Sequence, residues 1–287
     1  MLPLDGITVV SIEQAVAAPF ATRQLADYGA RVIKIERPDG GDFARSYDAA
    51  VNGLSSYFVW LNRSKQSLTL DLKNPAARAV FDRLIATADV FVHNLAPGAV
   101  ERLGAAPADL RARDPRLVTC SISGYGSPGP YAGKKAYDML VQAEAGLVSI
   151  TGSRDTPSRV GISVADIAAG MYAYSGILTA LLARSTSGEG TGLDVSLFDA
   201  LGEWMGAPAY SRRTAGPNRR AAAPRMRRSP RTSSSSAGMA SRSFWPSRTR
   251  GNGPVSASPS SSSPPLRQIP ASRLMPVASA IAMNCTR

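Results

Sequence analysis

The stretch "VGISVADIAAGMYAYSGILTALLAR", residues 160 to 184, holds one acid, Asp166, followed by seventeen uncharged residues before Arg184. A carboxylate in the first turn of a helix, beside the small residues Ala165, Ala168, Ala169 and Gly170, leaves room for an electrophile to approach. The helix dipole at that end favours the ionised, nucleophilic form. The same spacing has a structural reading. Ser163 to Asp166 is an S-x-x-D pattern, in which Asp166 would return a hydrogen bond to the Ser163 amide as part of a capping box. Spacing alone does not choose between the two.

Charged residues fall where strands are expected to end. "KIERP" puts Glu36 and Arg37 at such a point, and "NRSK" supplies Arg63 and Lys65 before the next strand. Arginine grips phosphate oxygens through its fork and lysine acts as a point charge, although each residue taken singly also fits a solvated surface. "GYGSPG", Gly124 to Gly129, has the G-x-G-x-x-G spacing after a strand, but Pro130, Tyr131 and Gly133 follow it where a helix should start. It reads as a Gly/Pro loop that can border a site at the sheet's carboxyl edge. His93 is the only histidine, so neither a catalytic triad nor a multi-histidine metal site is supported, and it reads as structural. The cysteines Cys120 and Cys285 stand far apart with no C-x-x-C, so no metal centre is expected and a reduced, cytoplasmic setting is.

Such residues need a rigid scaffold. "ITVVSI", "RVIKIE", "SLTLDL", "DVFVHN", "LVTCSIS" and "GLDVSLF" read as strands that alternate with helical patterns in "FATRQLADYGA", "PAARAVFDRLIATA" and the segment after Ser163. Asn74-Pro75 is an N-cap followed by proline at the first helical position. The alternation predicts an α/β fold, a doubly wound, parallel, Rossmann-like sheet flanked by helices. The N-terminus has no basic segment followed by an apolar one, so no signal peptide is expected. The apolar run after Asp166 is slightly short for a membrane span and is broken by Gly170, Ser175 and Gly176, which favours a buried core helix and no membrane partner.

Composition divides the chain. The net charge of +12 would by itself point to nucleic acid, but residues 211–287 hold fourteen of the arginines and no Lys, Asp or Glu, whereas residues 1–210 are close to neutral. Residues 1–210 therefore form the expected α/β region, for which no nucleic-acid partner is implied. Residues 211–287 are an Arg/Ser/Pro-rich tail without hydrophobic period, expected to be disordered. The tail has two readings: an arginine-rich RNA-binding arm, or a GC-rich gene read out of frame. For "WPSRTRGNGPVS", Trp245 to Ser256, a permitted set of codons shifted by one nucleotide reads LAVQNEREWARF, with charges and aromatics restored. The frame change is the favoured reading, and with it a truncated product.

The colinear segments "PLDGITVV", "GARVIKIERPDGGD", "LNRSKQSLTLDLK", "ADVFVHNLAPGAVERLG", "SISGYGSPGPY", "KKAYDMLVQAEAG", "VADIAAGMYAYSGILTALLAR" and "GEGTGLDVSLFDA" resemble the N-terminal two-thirds of a family III CoA-transferase, over residues 3 to about 210. The resemblance implies transfer of coenzyme A from an acyl-CoA donor to a carboxylic acid acceptor, with the CoA thioester as substrate and no tightly bound cofactor. It places the family's catalytic aspartate at Asp166, which would carry an aspartyl-CoA thioester. It places Arg37, Lys65, Asn94, Arg102, Lys135 and Tyr137 along the CoA path. It also matches Val16 to a backbone amide near the reacting carbonyl, where some members have a glutamine side chain. The related α-methylacyl-CoA racemases use a histidine where this sequence has Tyr137, which removes their base. The family's interlocked homodimer and the glycine-rich loop over its site would be built from chain after Tyr210, so the sequence alone predicts that this product is poorly folded and inactive.

Overall fold

A computed structural model of the chain describes residues 1–153 and 155–215. The chain opens with β1 (Thr8–Ile12), α1 (Ala17–Asp27) and β2 (Arg31–Glu36), then α2 (Ser56–Asn62), β3 (Gln66–Thr69), α3 (Pro75–Ile85) and β4 (Val90–His93). Two short helices, α4 (Ala99–Arg102) and α5 (Pro107–Arg113), precede β5 (Val118–Ser123). There follow α6 (Asp138–Glu144), the long α7 (Val164–Ser187), β6 (Gly192–Ser196), α8 (Leu197–Trp204) and α9 (Gly206–Ala215). The strands form one sheet in the order β3-β2-β1-β4-β5-β6, with every neighbouring pair parallel. This is the doubly wound architecture expected from the alternation, with its order reversing between β1 and β4.

The central strands β2, β1, β4 and β5 are mostly buried because both faces of the sheet are covered there, whereas the edge strand β3 is mostly exposed. Alternate residues enter opposite cores: Val9, Val90, Val92, Val118, Cys120 and Ile122 join α1, α7 and α8 on one side. Val10, Ile33, Ile35 and Phe91 meet Phe81 and Ile85 of α3 and Leu110 of α5 on the other. Helix α3 begins as the sequence predicts, with the Asn74 Oδ1 accepting from Ala76 N at 2.9 Å and Pro75 in the first turn. Helix α7 is long and apolar enough to cross a membrane by composition, and its Ala165, Ala168, Ala169, Ala173, Ile177 and Ala180 are buried against the rest of the fold. The expected tail lies outside the described residues except for its first five, Ser211–Ala215. Those continue α9, so the ordered chain passes the Tyr210 boundary.

Candidate active site

Small residues bring two helix starts together. Ala17, Ala18 and Ala21 of α1 share one core with Ala165, Ala168, Ala169 and Ala173 of α7. A Cβ on Gly170 would lie 2.7 Å from the Ala17 carbonyl oxygen and 3.0 Å from the Phe20 ring, a separation that only glycine permits. The close approach packs the turn that opens α1 against the first turn of α7. Val16 at the head of α1 and Ile167, next to Asp166, accordingly meet in the same apolar cluster with Phe20 and Leu61. The Val16 amide has no acceptor among the described residues.

The capping box drawn from S-x-x-D does not form, since the Ser163 side chain makes no capping hydrogen bond. An acid from elsewhere takes the role. Asp138 Oδ1 accepts from Ala165 N at 2.7 Å and weakly from Asp166 N at 3.4 Å, and its own carboxylate is held by the Gln142 side-chain amide at 2.6 Å. The Asp166 side chain makes no hydrogen bond among the described residues. Burial, reinforced by the neighbouring Asp138 charge, pushes the Asp166 carboxyl up to about 7. This corrects the expectation that the helix dipole keeps it fully ionised: desolvation outweighs the dipole, and the group is poised near neutrality.

An aromatic wall stands beside this carboxylate. Burial, then the charges of Asp42 and Asp166 and the nearby phenols of Tyr57 and Tyr137, raise the Tyr47 hydroxyl to about 12. Ring contacts continue from Tyr47 to Tyr57 at 5.7 Å, from Tyr57 to Trp60 at 6.1 Å, and from Trp60 to Phe20 at 5.7 Å. Phe43, Tyr47, Trp60 and Tyr137 are partly open to solvent.

A cavity of about 470 Å³ lies at the carboxyl ends of β1, β2 and β3, with Leu95 and Leu103 also in its lining. Its position matches the topological switch between β1 and β4, where open α/β sheets take ligands. Arg37, Asp39 and Lys73 stand on its wall. Glu13, Glu36 and Asp42 line it as well, and they belong to an ion network that runs from the cavity into the core. Lys34 Nζ contacts Asp42 Oδ2 at 2.5 Å and Asn62 Oδ1 at 2.9 Å, and Lys65 Nζ donates to Glu13 Oε1 at 2.7 Å and to the Pro19 carbonyl at 2.9 Å. Glu36 takes both ends of the Arg45 fork at 2.8 and 2.7 Å and a hydroxyl bond from Ser67 at 2.6 Å. Burial alone would raise the Glu36 carboxyl, yet Arg45, Ser67 and the Asp42 amide bring it down to about 2. Burial lowers the Lys65 ammonium to about 8 in spite of Glu13.

The residues expected along one ligand path are therefore distributed. Arg37 faces the cavity, its Nε donating to the Gly41 carbonyl at 3.0 Å. Arg102 is exposed at the end of α4, and Lys135 and Tyr137 are exposed on the segment leading into α6. Asn94 is committed to the backbone: its Oδ1 accepts from Gln14 N at 2.9 Å and its Nδ2 donates to Gln14 O at 2.8 Å. Lys65 has only 2% of its side chain exposed and its ammonium lies inside the network, while Arg63 pairs with Asp27 at 2.7 Å. The "GYGSPG" segment forms turns with no helix at its end, as its sequence implies. His93 is buried at the end of β4, where burial lowers its imidazole to about 4 and neither ring nitrogen has a partner among the described residues. No group of three His, Cys, Asp or Glu suited to a metal ion occurs among the described residues. Sequence reasoning missed Asp138, Tyr47 and Asp42. Only the "YD" pair of Tyr137 and Asp138, set among the matched segments, carried a signal for any of them.

Known proteins resemble this chain in sequence and fold. The family described as CoA-transferase family III matches residues 4–237. An acetyl-CoA:oxalate CoA-transferase of Acetobacter aceti is 43% identical over 199 residues, which is 69% of this chain and 51% of that protein. A succinyl-CoA:glutarate CoA-transferase of Mus musculus is 39% identical over 202 residues, 70% of this chain and 46% of that one. The crystal structure of a CAIB/BAIF family protein from Brucella suis superposes with a TM-score of 0.72 at 34% identity, covering 77% of this chain and 60% of that chain. The chain thus spans about half the length of the curated relatives it matches. With the match running through both helix starts and the whole sheet, the chain belongs to CoA-transferase family III.

Proposed function

We propose that the chain carries the site for transfer of coenzyme A between an acyl-CoA and a carboxylic acid, with Asp166 as the covalent nucleophile. The observation that carries this reading is the Asp166 carboxyl itself: without a hydrogen bond among the described residues, pushed up to about 7 by burial and the Asp138 charge, and on the residue next to Ile167, which shares an apolar cluster with Val16. An Asp166 oxygen attacks the thioester carbonyl, the C–S bond breaks, and a mixed anhydride and CoA thiolate result. The thiolate then attacks the Asp166 carbonyl carbon, releasing the donor as its carboxylate and leaving an aspartyl-CoA thioester. An acceptor carboxylate attacks that thioester and the same two steps run in reverse, regenerating Asp166 as carboxylate. Dividing one difficult exchange in this way lowers each barrier. The Val16 amide suits the oxyanion that develops in each attack.

We assign the nucleotide end of coenzyme A to the cavity at the switch point, with Arg37 on its wall and Arg102, Lys135 and Tyr137 as exposed groups toward the thioester arm. Asn94 and Lys65 act behind that surface, by holding backbone and buried charge. The proposed nucleophile and the proposed oxyanion donor, Asp166 and Val16, both lie within residues 1–215. Oxalate and glutarate, named for the relatives, make short dicarboxylates the first acceptors to try. The test is CoA exchange from succinyl-CoA or acetyl-CoA to a panel of mono- and dicarboxylic acids by the full 287-residue chain. New acyl-CoA formed with at least one acid supports the reading, and thioester hydrolysis alone opposes it.

We further read residues 1–210 as the transferase region and the stretch beyond as out of frame. Support comes from its fourteen arginines without a single Lys, Asp or Glu. Sequencing independent clones across codons 205 to 225 tests this. An identical, uninterrupted frame in all of them would reject it.

A further inference from the structure

Ala15 adopts φ +58, a left-handed conformation that costs a non-glycine residue free energy and persists only where its surroundings enforce it. Two side chains enforce it here. Asn94 grips Gln14 through both its N–H and its carbonyl, and Asp42 Oδ1 accepts from Ala15 N at 3.0 Å. Asp42 is itself fixed. The same Oδ1 accepts from Ala44 N at 2.9 Å, Oδ2 meets Lys34 Nζ at 2.5 Å, and its backbone N–H donates to Glu36 Oε2 at 2.9 Å. It is 1% exposed, so this hold is not shared with solvent. Because the peptide unit between Ala15 and Val16 is planar, the backbone angles of Ala15 set the direction in which the Val16 N–H points.

We propose that Asp42 is a positioning residue for the transfer reaction: it fixes Ala15 in the left-handed conformation that aims the Val16 amide at the acyl oxygen carried on or attacked by Asp166. This rests on the CoA-transfer reading above. The network of Lys34, Glu36 and the part-exposed Arg45 then serves to immobilise Asp42.

The test compares wild-type chain, Asp42→Ala, Asp42→Asn, and Asp42→Ala combined with Ala15→Gly, in CoA exchange from succinyl-CoA. An oxyanion donor displaced by an ångström costs about 100-fold, so Asp42→Ala is expected to lower kcat by about that factor with KM for succinyl-CoA little changed. Glycine occupies φ > 0 without the penalty that alanine carries, so the double variant should recover about tenfold in kcat. Asp42→Asn keeps an oxygen for the Ala15 amide while removing the charge beside Lys34, and should stay within about tenfold of wild type. That variant keeps the test open if Asp42→Ala fails to fold. A loss of kcat that Ala15→Gly leaves untouched, or Asp42→Asn as impaired as Asp42→Ala, overturns the positioning role. If wild-type chain forms no adduct on Asp166, the CoA-transfer reading itself fails and this role falls with it. An active wild type with unimpaired Asp42→Ala overturns the positioning role alone.

Discussion

Replacing Asp166 by asparagine should stabilise the protein, and increasingly so as pH rises. The carboxyl is moved from its ordinary 3.8 to about 7, first by burial and then by the Asp138 charge. Its folded form binds a proton more tightly than its unfolded form. The stability it contributes is therefore complete below about 3.8 and is lost as pH rises through about 7. A shift of that size corresponds to about 4 kcal/mol, and partial solvent access reduces the working figure to about 2–3 kcal/mol. Asparagine has the same shape and no proton to lose. Urea unfolding of wild type and Asp166→Asn at pH 4 and pH 8 isolates the effect, because every other titrating group is common to both. The difference in favour of Asp166→Asn should grow by about 2–3 kcal/mol between those pH values. A difference that is constant with pH, or that shrinks as pH rises, would refute the claim that burial and Asp138 oppose ionisation of this group. The same reasoning gives an enzymatic limb: a carboxylate nucleophile should act in its ionised form, so the rate of acylation should rise with pH and level off above about 7.

Two further changes probe the scaffold. Lys65→Met leaves Glu13 buried with its nearer cation gone and Lys34 Nζ 3.8 Å away, and should cost about 3–5 kcal/mol in urea unfolding at neutral pH. If Lys65 were instead a phosphate-binding surface lysine, stability would stay within about 0.5 kcal/mol of wild type and only affinity for CoA would fall. Gly170→Ala places a methyl 2.7 Å from the Ala17 carbonyl oxygen. It should cost about 1–3 kcal/mol by overpacking and, by moving Asp166 away from the Val16 turn, lower kcat about tenfold or more, read by unfolding and by CoA exchange on the same sample.

The central sheet could be read before the structure because β2, β1, β4 and β5 are mostly buried. "RVIKIE" has only Arg31 exposed, and such runs stand out against polar connections. Helix α7 was legible from its length and α3 from Asn74-Pro75. The short helices α2, α4, α5 and α6, each of four to seven residues, gave no period long enough to recognise. At the site, the proposed nucleophile Asp166 came from its surroundings in the sequence, but its environment did not. The group that caps its helix, Asp138, is 27 positions from Ala165, and the partner that buries Lys65, Glu13, is 52 positions away. Pairings across such distances are set by the fold, which is why the sequence did not show the internal bonds of Lys65 to Glu13 and of Asn94 to Gln14. The raised pKa of Asp166 is illegible for the same reason: a helix start argues for ionisation, and only the packing of α1 on α7 supplies the desolvation that reverses it.

The central claim is that Asp166 becomes covalently attached to coenzyme A. Incubating the full 287-residue chain with succinyl-CoA, quenching in acid and analysing peptides by mass spectrometry tests it directly. The account predicts a CoA adduct on the peptide containing Asp166, discharged by hydroxylamine and missing from Asp166→Asn. An adduct on another residue, or new acyl-CoA formed at undiminished rate by Asp166→Asn, would contradict it.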